Sequence, residues 1–268
     1  MTRENQARIS VVIRMRDLES GIYDLFSMLS NQTTKPSQLI IVDTYSCKEK
    51  QEEITDSLSN MKKEMFENDV QIKLVFLADD EFSHPYSTNL GVHEANNKLV
   101  CITNGHSLPI SFTWLEDGIR QLRDPNVAAV GGFFYPSGKG LLKRLFYVVE
   151  SSMKTITWIS TMNCIIRKSV WEEYPFDENL LKLVPETRKY GGEDYDWNLE
   201  MISMGYKVVL DPKFSVVHFH EKDFMLEIFR NLKNYLIFKK INKKIKSLER
   251  PRKSYTKVNH VKKHSIEI

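Results

Sequence analysis

Short apolar runs alternate with stretches of helical periodicity through the first half of the chain. ISVVI (9–13) is a β-branched run that reads as a buried strand. After it, Ile22, Leu25, Phe26 and Leu29 recur at the spacing of one helix face. LIIVD (39–43) is a second strand, followed by Ile54, Leu58, Met61 and Met65 on one face of a helix. IKLVFL (72–77) predicts a third strand, STNLGVHEANN (87–97) a short helix, and LVCIT (99–103) a fourth strand. Leu115, Ile119 and Leu122 share a helix face that Ser111 is placed to cap, and VAAVGGF (127–133) is a fifth strand. Strands that are apolar throughout and alternate with helices imply a mostly parallel central sheet covered on both faces. The expected class is therefore α/β, with a Rossmann-like, nucleotide-binding type of architecture.

The second half is less regular. LLKRLFYVVESSM (141–153) predicts a helix, and MNCIIRKSVWEEYPFDENL (162–180) a strand, a short helix and a loop. GGEDYDWNLEMISMGY (191–206) is a loop entering a helix that carries Tyr195, Leu199 and Ile202 on one face. KVVL (207–210) and FSVVHFH (214–220) are strands. From Glu221 onward the expectation is a helix, then a basic, disordered end. Residues 1–220 are thus expected to form one unit, split into halves 1–135 and 136–220, and 221–268 a basic helical or disordered tail.

Of 268 residues, 41% are hydrophobic and 27% charged, as in a folded globular chain. The net charge of +3 is too small to indicate a nucleic-acid partner. Cys47, Cys101 and Cys164 are odd in number, far apart and in no CxxC pair, so they read as reduced core thiols. The polar MTRENQARIS opening has no signal-peptide core, and no apolar run reaches transmembrane length. A cytoplasmic chain is expected. The tail, with Lys239, Lys240, Lys243, Lys244, Lys246, Arg250, Arg252 and Lys253 beside Leu226, Phe229, Leu232, Leu236 and Ile237, would let it sit peripherally on the anionic inner face of the cell membrane.

Two nucleotide motifs fail. No GxGxxG follows the first strand, and GGFFYPSGKG (131–140) has the wrong glycine spacing for a P-loop and Gly140 where Ser or Thr would bind magnesium. Two polar stretches carry chemistry instead. In GGEDYDW (191–197) the glycines free the backbone for close approach, and Glu193 and Asp194 open a helix. They read either as a general base with its neighbour or as first-turn acids complementing the helix dipole. In CITNGHSLP (101–109) a buried strand ends in Asn104, Gly105 and His106, where open α/β sheets place their ligands.

Taken in order, ISVVIRMRD, QTTKPSQLIIVDTYS, STNLGVHEANNKLVCITNGHSLP, NCIIRKSVWEEYPFDENL with GGEDYDW, and GYKVVLDPKFSVVHFH resemble family-2 glycosyltransferases of GT-A fold, over about residues 9–220. The resemblance implies an inverting transferase of hexosyl or deoxyhexosyl type. It would move a sugar from a nucleotide-sugar donor to a hydroxyl of a glycan or lipid-linked glycan, as in polysaccharide biosynthesis. It makes Asp194 the base and Glu193 its neighbour at the donor sugar. Asp43 would hold the nucleoside, Asn89 the loop beside it, and Arg14 the phosphates. Asn163 and Trp197 would line the sugar or acceptor site, and core packing is the other reading of Trp197. At the family's Asp-x-Asp position this chain carries Asn104-Gly105-His106; some family members have a Ser-Ala-His version. Asn104, His106 and His218 would then be the metal set, with His220 on the same strand face, and nitrogen ligands favour Mn2+ over Mg2+. Protonated His106 pairing directly with the diphosphate is the metal-free version. A non-catalytic sugar-nucleotide-binding subunit of a glycan assembly complex is the alternative, although a retained Glu193-Asp194 pair argues for catalysis.

Overall fold

The computed structural model describes residues 8–45, 47–66, 70–136, 159–218, 224–247 and 265–268. The first half follows the expected alternation: β1 (Ile9–Arg16), α1 (Ile22–Ser30), β2 (Gln38–Tyr45), α2 (Lys50–Met65), β3 (Gln71–Ala78), α3 (His84–His93) and β4 (Leu99–Asn104). A short β5 (Ser107–Pro109), α4 (Trp114–Gln121), β6 (Val127–Gly131) and β7 (Phe134–Pro136) follow. The second half supplies β8 (Asn163–Arg167), α5 (Lys168–Glu173), α6 (Leu180–Leu183), α7 (Thr187–Tyr190), α8 (Glu193–Ser203), β9 (Lys207–Leu210), β10 (Val216–His218), α9 (Phe224–Ser247) and β11 (Ser265–Glu267).

The main sheet has the order β11-β3-β2-β1-β4-β8-β6-β9, and β5-β10-β7 form a second, three-stranded sheet. β1 pairs in parallel with both β2 and β4, and β2 with β3. The sheet is mostly parallel, as expected; among its exceptions is β8, which runs antiparallel to both β4 and β6. A strand buried on both faces is apolar whichever way it points, so its composition carries no direction.

Period-two alternation sorts β1 between two cores. Ile9, Val11, Ile13 and Met15 join Phe26, Leu58, Leu74, Trp114 and Phe214 on one face. Val12 joins Ile40, Ile102, Trp171, Trp197 and Met201 on the other. Arg14 lies two residues beyond Val12, so its side chain emerges on the face covered by α8. Trp114 and Phe214 stack at 4.6 Å beneath the sheet.

Helix α4 begins later than Ser111 predicts: Thr113 precedes it, and its Oγ1 donates to Asp117 Oδ2 at 2.8 Å rather than accepting from a backbone N–H. Cys101 and Cys164 are buried, and burial pushes both thiols up. Cys47 is exposed, contrary to the core reading, because it lies past the end of β2. Within 221–268, α9 is no loose appendage. Its Ile237 and Ile241 are buried against Leu180 and Val184. β11 pairs antiparallel with β3, and Ile268 N donates to Ile72 O at 3.1 Å. The expected helix at 141–153, His220 and the basic stretch 248–264 lie outside the described residues. Among the described residues no helix is long and apolar enough to cross a membrane.

One crossing point limits what the fold tolerates. A Cβ on Gly132, between β6 and β7, would lie 1.5 Å from the backbone oxygen of Phe214. Asn163 Nδ2 donates to that same oxygen at 2.8 Å. Because the clash is with backbone, Gly132→Ala is expected to destabilise by about 3 kcal/mol or more. For a domain of this size that lowers Tm by about 6 °C or more in a thermal melt; an unchanged Tm would contradict this packing.

Candidate active site

After β1 the chain builds outward on one side through β2 and β3, then returns to β4 on the other side of β1. That reversal opens a crevice beyond the carboxyl ends of β1 and β4, the usual ligand position in open α/β sheets. Arg14 and Asn104 are register partners at its mouth. Asp43, at the end of neighbouring β2, is wholly buried. Its Oδ2 accepts from Leu18 N at 3.4 Å, and its Oδ1 has no partner among the described residues. The turn that presents Leu18 holds Asp17 and Leu18 at φ 50° and 57°. Non-glycine residues in that region store of order 1–3 kcal/mol each, and such strain gathers at functional sites. Burial pushes the Asp43 carboxyl up to about 7.

Arg14 ties the two halves of the chain together. Its Nη1 donates to Thr88 Oγ1 at 2.7 Å, and its Nη2 to Asn104 Oδ1 at 3.3 Å and to Thr161 O at 3.1 Å. Glu193 Oε1 lies 4.0 Å from Nη1 and accepts from Thr161 Oγ1 at 3.0 Å. Burial lowers the guanidinium from its ordinary value, and Glu193 and Asp194 oppose that shift. Arg14 Nε and Glu193 Oε2 are buried with no partner among the described residues.

The carboxylates arrive on a constrained loop. Gly191 and Gly192 adopt φ 77° and 120°, backbone that side-chain-bearing residues rarely take. Glu193 and Asp194 then form the first turn of α8, both buried. Asp194 Oδ1 accepts from Tyr195 N at 2.8 Å, and Asn198 Nδ2 donates to Asp194 O at 2.6 Å. Burial among hydrogen bonds is more than dipole complementation on a solvated turn requires.

The Asn104-Gly105-His106 loop brings His106 against His218, ring centroids 4.6 Å apart. His106 Nδ1 meets Glu19 Oε2 at 2.6 Å, and His218 Nδ1 meets Ser107 Oγ at 2.8 Å. Gly105 is closely packed: a Cβ there would lie 2.8 Å from Glu19 Oε2 and 3.1 Å from Met15 Cβ. The expected metal set is only partly assembled. Asn104 Oδ1 is turned to the Arg14 guanidinium, a neighbour that repels a cation. Among the described residues, no three His, Cys, Asp or Glu side chains converge as a ready metal site.

Three expected site residues make contacts with the scaffold. Asn89 Oδ1 accepts from Trp171 Nε1 and Phe176 N at 3.0 and 3.1 Å, and its Nδ2 donates to Phe176 O and Glu178 Oε1, each at 2.8 Å. Its amide is saturated, so Asn89 positions the 171–178 segment and has no group left for a nucleotide. Trp197 donates to Tyr174 O at 2.9 Å and packs beside Phe176 in the core, the packing that was its other reading. Asn163 holds Phe214 O, although its own Oδ1 is buried with no partner among the described residues. Thr161 and Glu19 were not anticipated. Thr161 meets Arg14 from 147 positions away, and a Thr ahead of a strand carries no local signal. Glu19 had a readable one, a carboxylate in the loop after β1.

No protein-family model matches the chain, and no curated protein matches it. The solved structures do give a match. The chain shares its fold with a mannosyltransferase. That protein is PcManGT from Pyrobaculum calidifontis, determined in complex with GDP-Man and Mn2+. The TM-score is 0.67 at 16% identity, and the match covers 92% of this chain and 66% of that one. At this identity the likeness establishes the α/β fold with its mostly parallel sheet, one that a glycosyltransferase uses.

Proposed function

We propose that the chain is an inverting glycosyltransferase of the GT-A, family-2 type, acting on a nucleotide-sugar donor and a hydroxyl of a glycan or lipid-linked glycan. The observation that carries this is the buried Glu193-Asp194 turn, held by two left-handed glycines, with Glu193 Oε1 4.0 Å from Arg14 Nη1 at the mouth of the β1/β4 crevice. Ionised Asp43 would accept hydrogen bonds from the nucleoside through the oxygen that has no partner among the described residues. Asp194 takes the acceptor hydroxyl proton as that oxygen attacks the anomeric carbon. The new C–O bond forms as the bond to the diphosphate oxygen breaks from the opposite side, inverting the centre, and the electron pair leaves with the nucleoside diphosphate. Glu193 holds the donor sugar through the oxygen that has no partner among the described residues, and Arg14 places positive charge at the crevice.

The protein's own donors for a cation are the His106 and His218 imidazoles, which suit Mn2+ better than Mg2+. A bound ion would supply positive charge to offset that of the departing diphosphate. The mannosyltransferase with its GDP-Man and Mn2+ supports testing that donor and ion first.

A thermal-shift screen of sugar nucleotides with Mn2+, Mg2+ or EDTA tests the reading. A donor at a hundred times its Kd adds about 2.7 kcal/mol of stability. His106→Ala is expected to weaken donor binding and transfer about tenfold or more, about 1.4 kcal/mol, without unfolding the chain. Full activity in EDTA would eliminate the metal version, and near-normal donor affinity in His106→Ala would eliminate any role of this loop in the diphosphate site.

A further inference from the structure

Helix α9 has two faces that the structure separates. Ile237 and Ile241 are buried, and Phe238 stacks on Tyr195 with centroids 4.2 Å apart. Asn242 Nδ2 donates to Tyr195 Oη at 2.8 Å, Lys233 Nζ to Tyr190 Oη at 2.8 Å, and Lys240 pairs with Glu186. These contacts fix the rotation of the helix about its axis. Leu232, Tyr235, Leu236, Lys239 and Lys243 then fall on the opposite side, at spacings of one helix face. All five are exposed, and the three apolar ones are 56%, 63% and 48% accessible. Between residues 228 and 247 the sequence has seven Lys or Arg and no Asp or Glu.

A row of large apolar side chains continuous with lysines and free of acids is costly against water alone and matches an anionic lipid interface. A second copy of the same face would bring lysines against lysines. We propose that the outer face of α9 docks on an anionic phospholipid membrane. Leu232, Tyr235 and Leu236 enter the headgroup boundary, and Lys239 and Lys243 meet lipid phosphates. The inner face of the same helix reaches the site described above: a Cβ on Gly192 would meet Ile241 Cδ1 at 3.1 Å and Ile237 Cγ2 at 3.4 Å. Docking therefore sets the Gly191-Gly192 loop about one helix diameter, ~10 Å, from the lipid surface. This suits a lipid-linked acceptor, but the docking itself stands without the transferase reading.

The test is sedimentation of the full chain with vesicles of phosphatidylcholine alone or of phosphatidylcholine mixed with phosphatidylglycerol. Partitioning is expected to favour the mixed vesicles by about tenfold or more. The Leu232→Ser/Tyr235→Ser/Leu236→Ser and Lys239→Glu/Lys243→Glu variants should each lose that advantage while keeping the wild-type Tm. Equal recovery with both vesicles overturns the proposal. So does undiminished binding of the serine variant, the outcome expected of charge alone. A wild-type dimer that the serine variant converts to monomer would instead assign the face to a second copy. Lys239 and Lys243 project into solvent, so their variant reports even if the serine variant fails to fold. Absence of any donor in the thermal-shift screen would end the transferase reading and leave this result intact.

Discussion

Asp194→Asn is expected to lower sugar transfer by about 10²- to 10⁴-fold while leaving the fold and donor binding close to wild type. Asn keeps the oxygen that accepts from Tyr195 N at 2.8 Å, so the first turn of α8 retains its local hydrogen bond. It also leaves in place the backbone oxygen to which Asn198 donates and the two glycines that aim the turn. What it removes is the capacity to accept a proton as the acceptor oxygen attacks. The loss should therefore appear in kcat and in single-turnover transfer, with little change in the donor titration or in Tm. Transfer at more than about a tenth of the normal rate would show that another group is the base.

That turn was legible in the sequence because its signals are local: two glycines, two acids, and a helical periodicity after them. Asp43 and the Asn104-Gly105-His106 loop were legible for the same reason, as polar residues ending apolar strands. The Arg14 hub was not, because its partners Thr88, Asn104 and Thr161 come from separate elements and are joined only by tertiary packing. Residues shared between recognition and scaffold misled most. Asn89 and Trp197 are polar-tipped groups near the site, and only their distances show that each is spent on backbone or side chains of the 171–178 segment. Likewise the direction of β8 depends on how the chain reaches it, and the docking of α9 on which of its faces meets Leu180 and Val184. Composition is silent on both.

Asp43→Asn is expected to strengthen the fold and weaken donor binding, and the two effects should separate with pH. Burial raises the folded-state carboxyl from 3.8 to about 7. Between those values the folded chain holds a proton that the unfolded chain has lost. The contribution of Asp43 to stability is therefore full below about pH 4, falls as pH rises, and is lost above about pH 7. Three units correspond to at most about 4 kcal/mol. The Asn variant keeps an oxygen for Leu18 N and never has to bury a charge, so it should melt higher than wild type at pH 8 and converge with it near pH 4. Binding runs the other way. An ionised Asp43 accepts charge-assisted hydrogen bonds from the nucleoside, each worth about 1.5–3 kcal/mol. Donor affinity should rise as pH climbs through 7 in the wild type, stay flat in the variant, and be about ten- to a hundredfold weaker in the variant at pH 8. Melts and donor titrations across this range read both arms. A variant that melts lower than wild type at pH 8 would refute the cost assigned to the buried carboxylate. A wild-type donor affinity that does not change with pH would remove Asp43 from the nucleoside site.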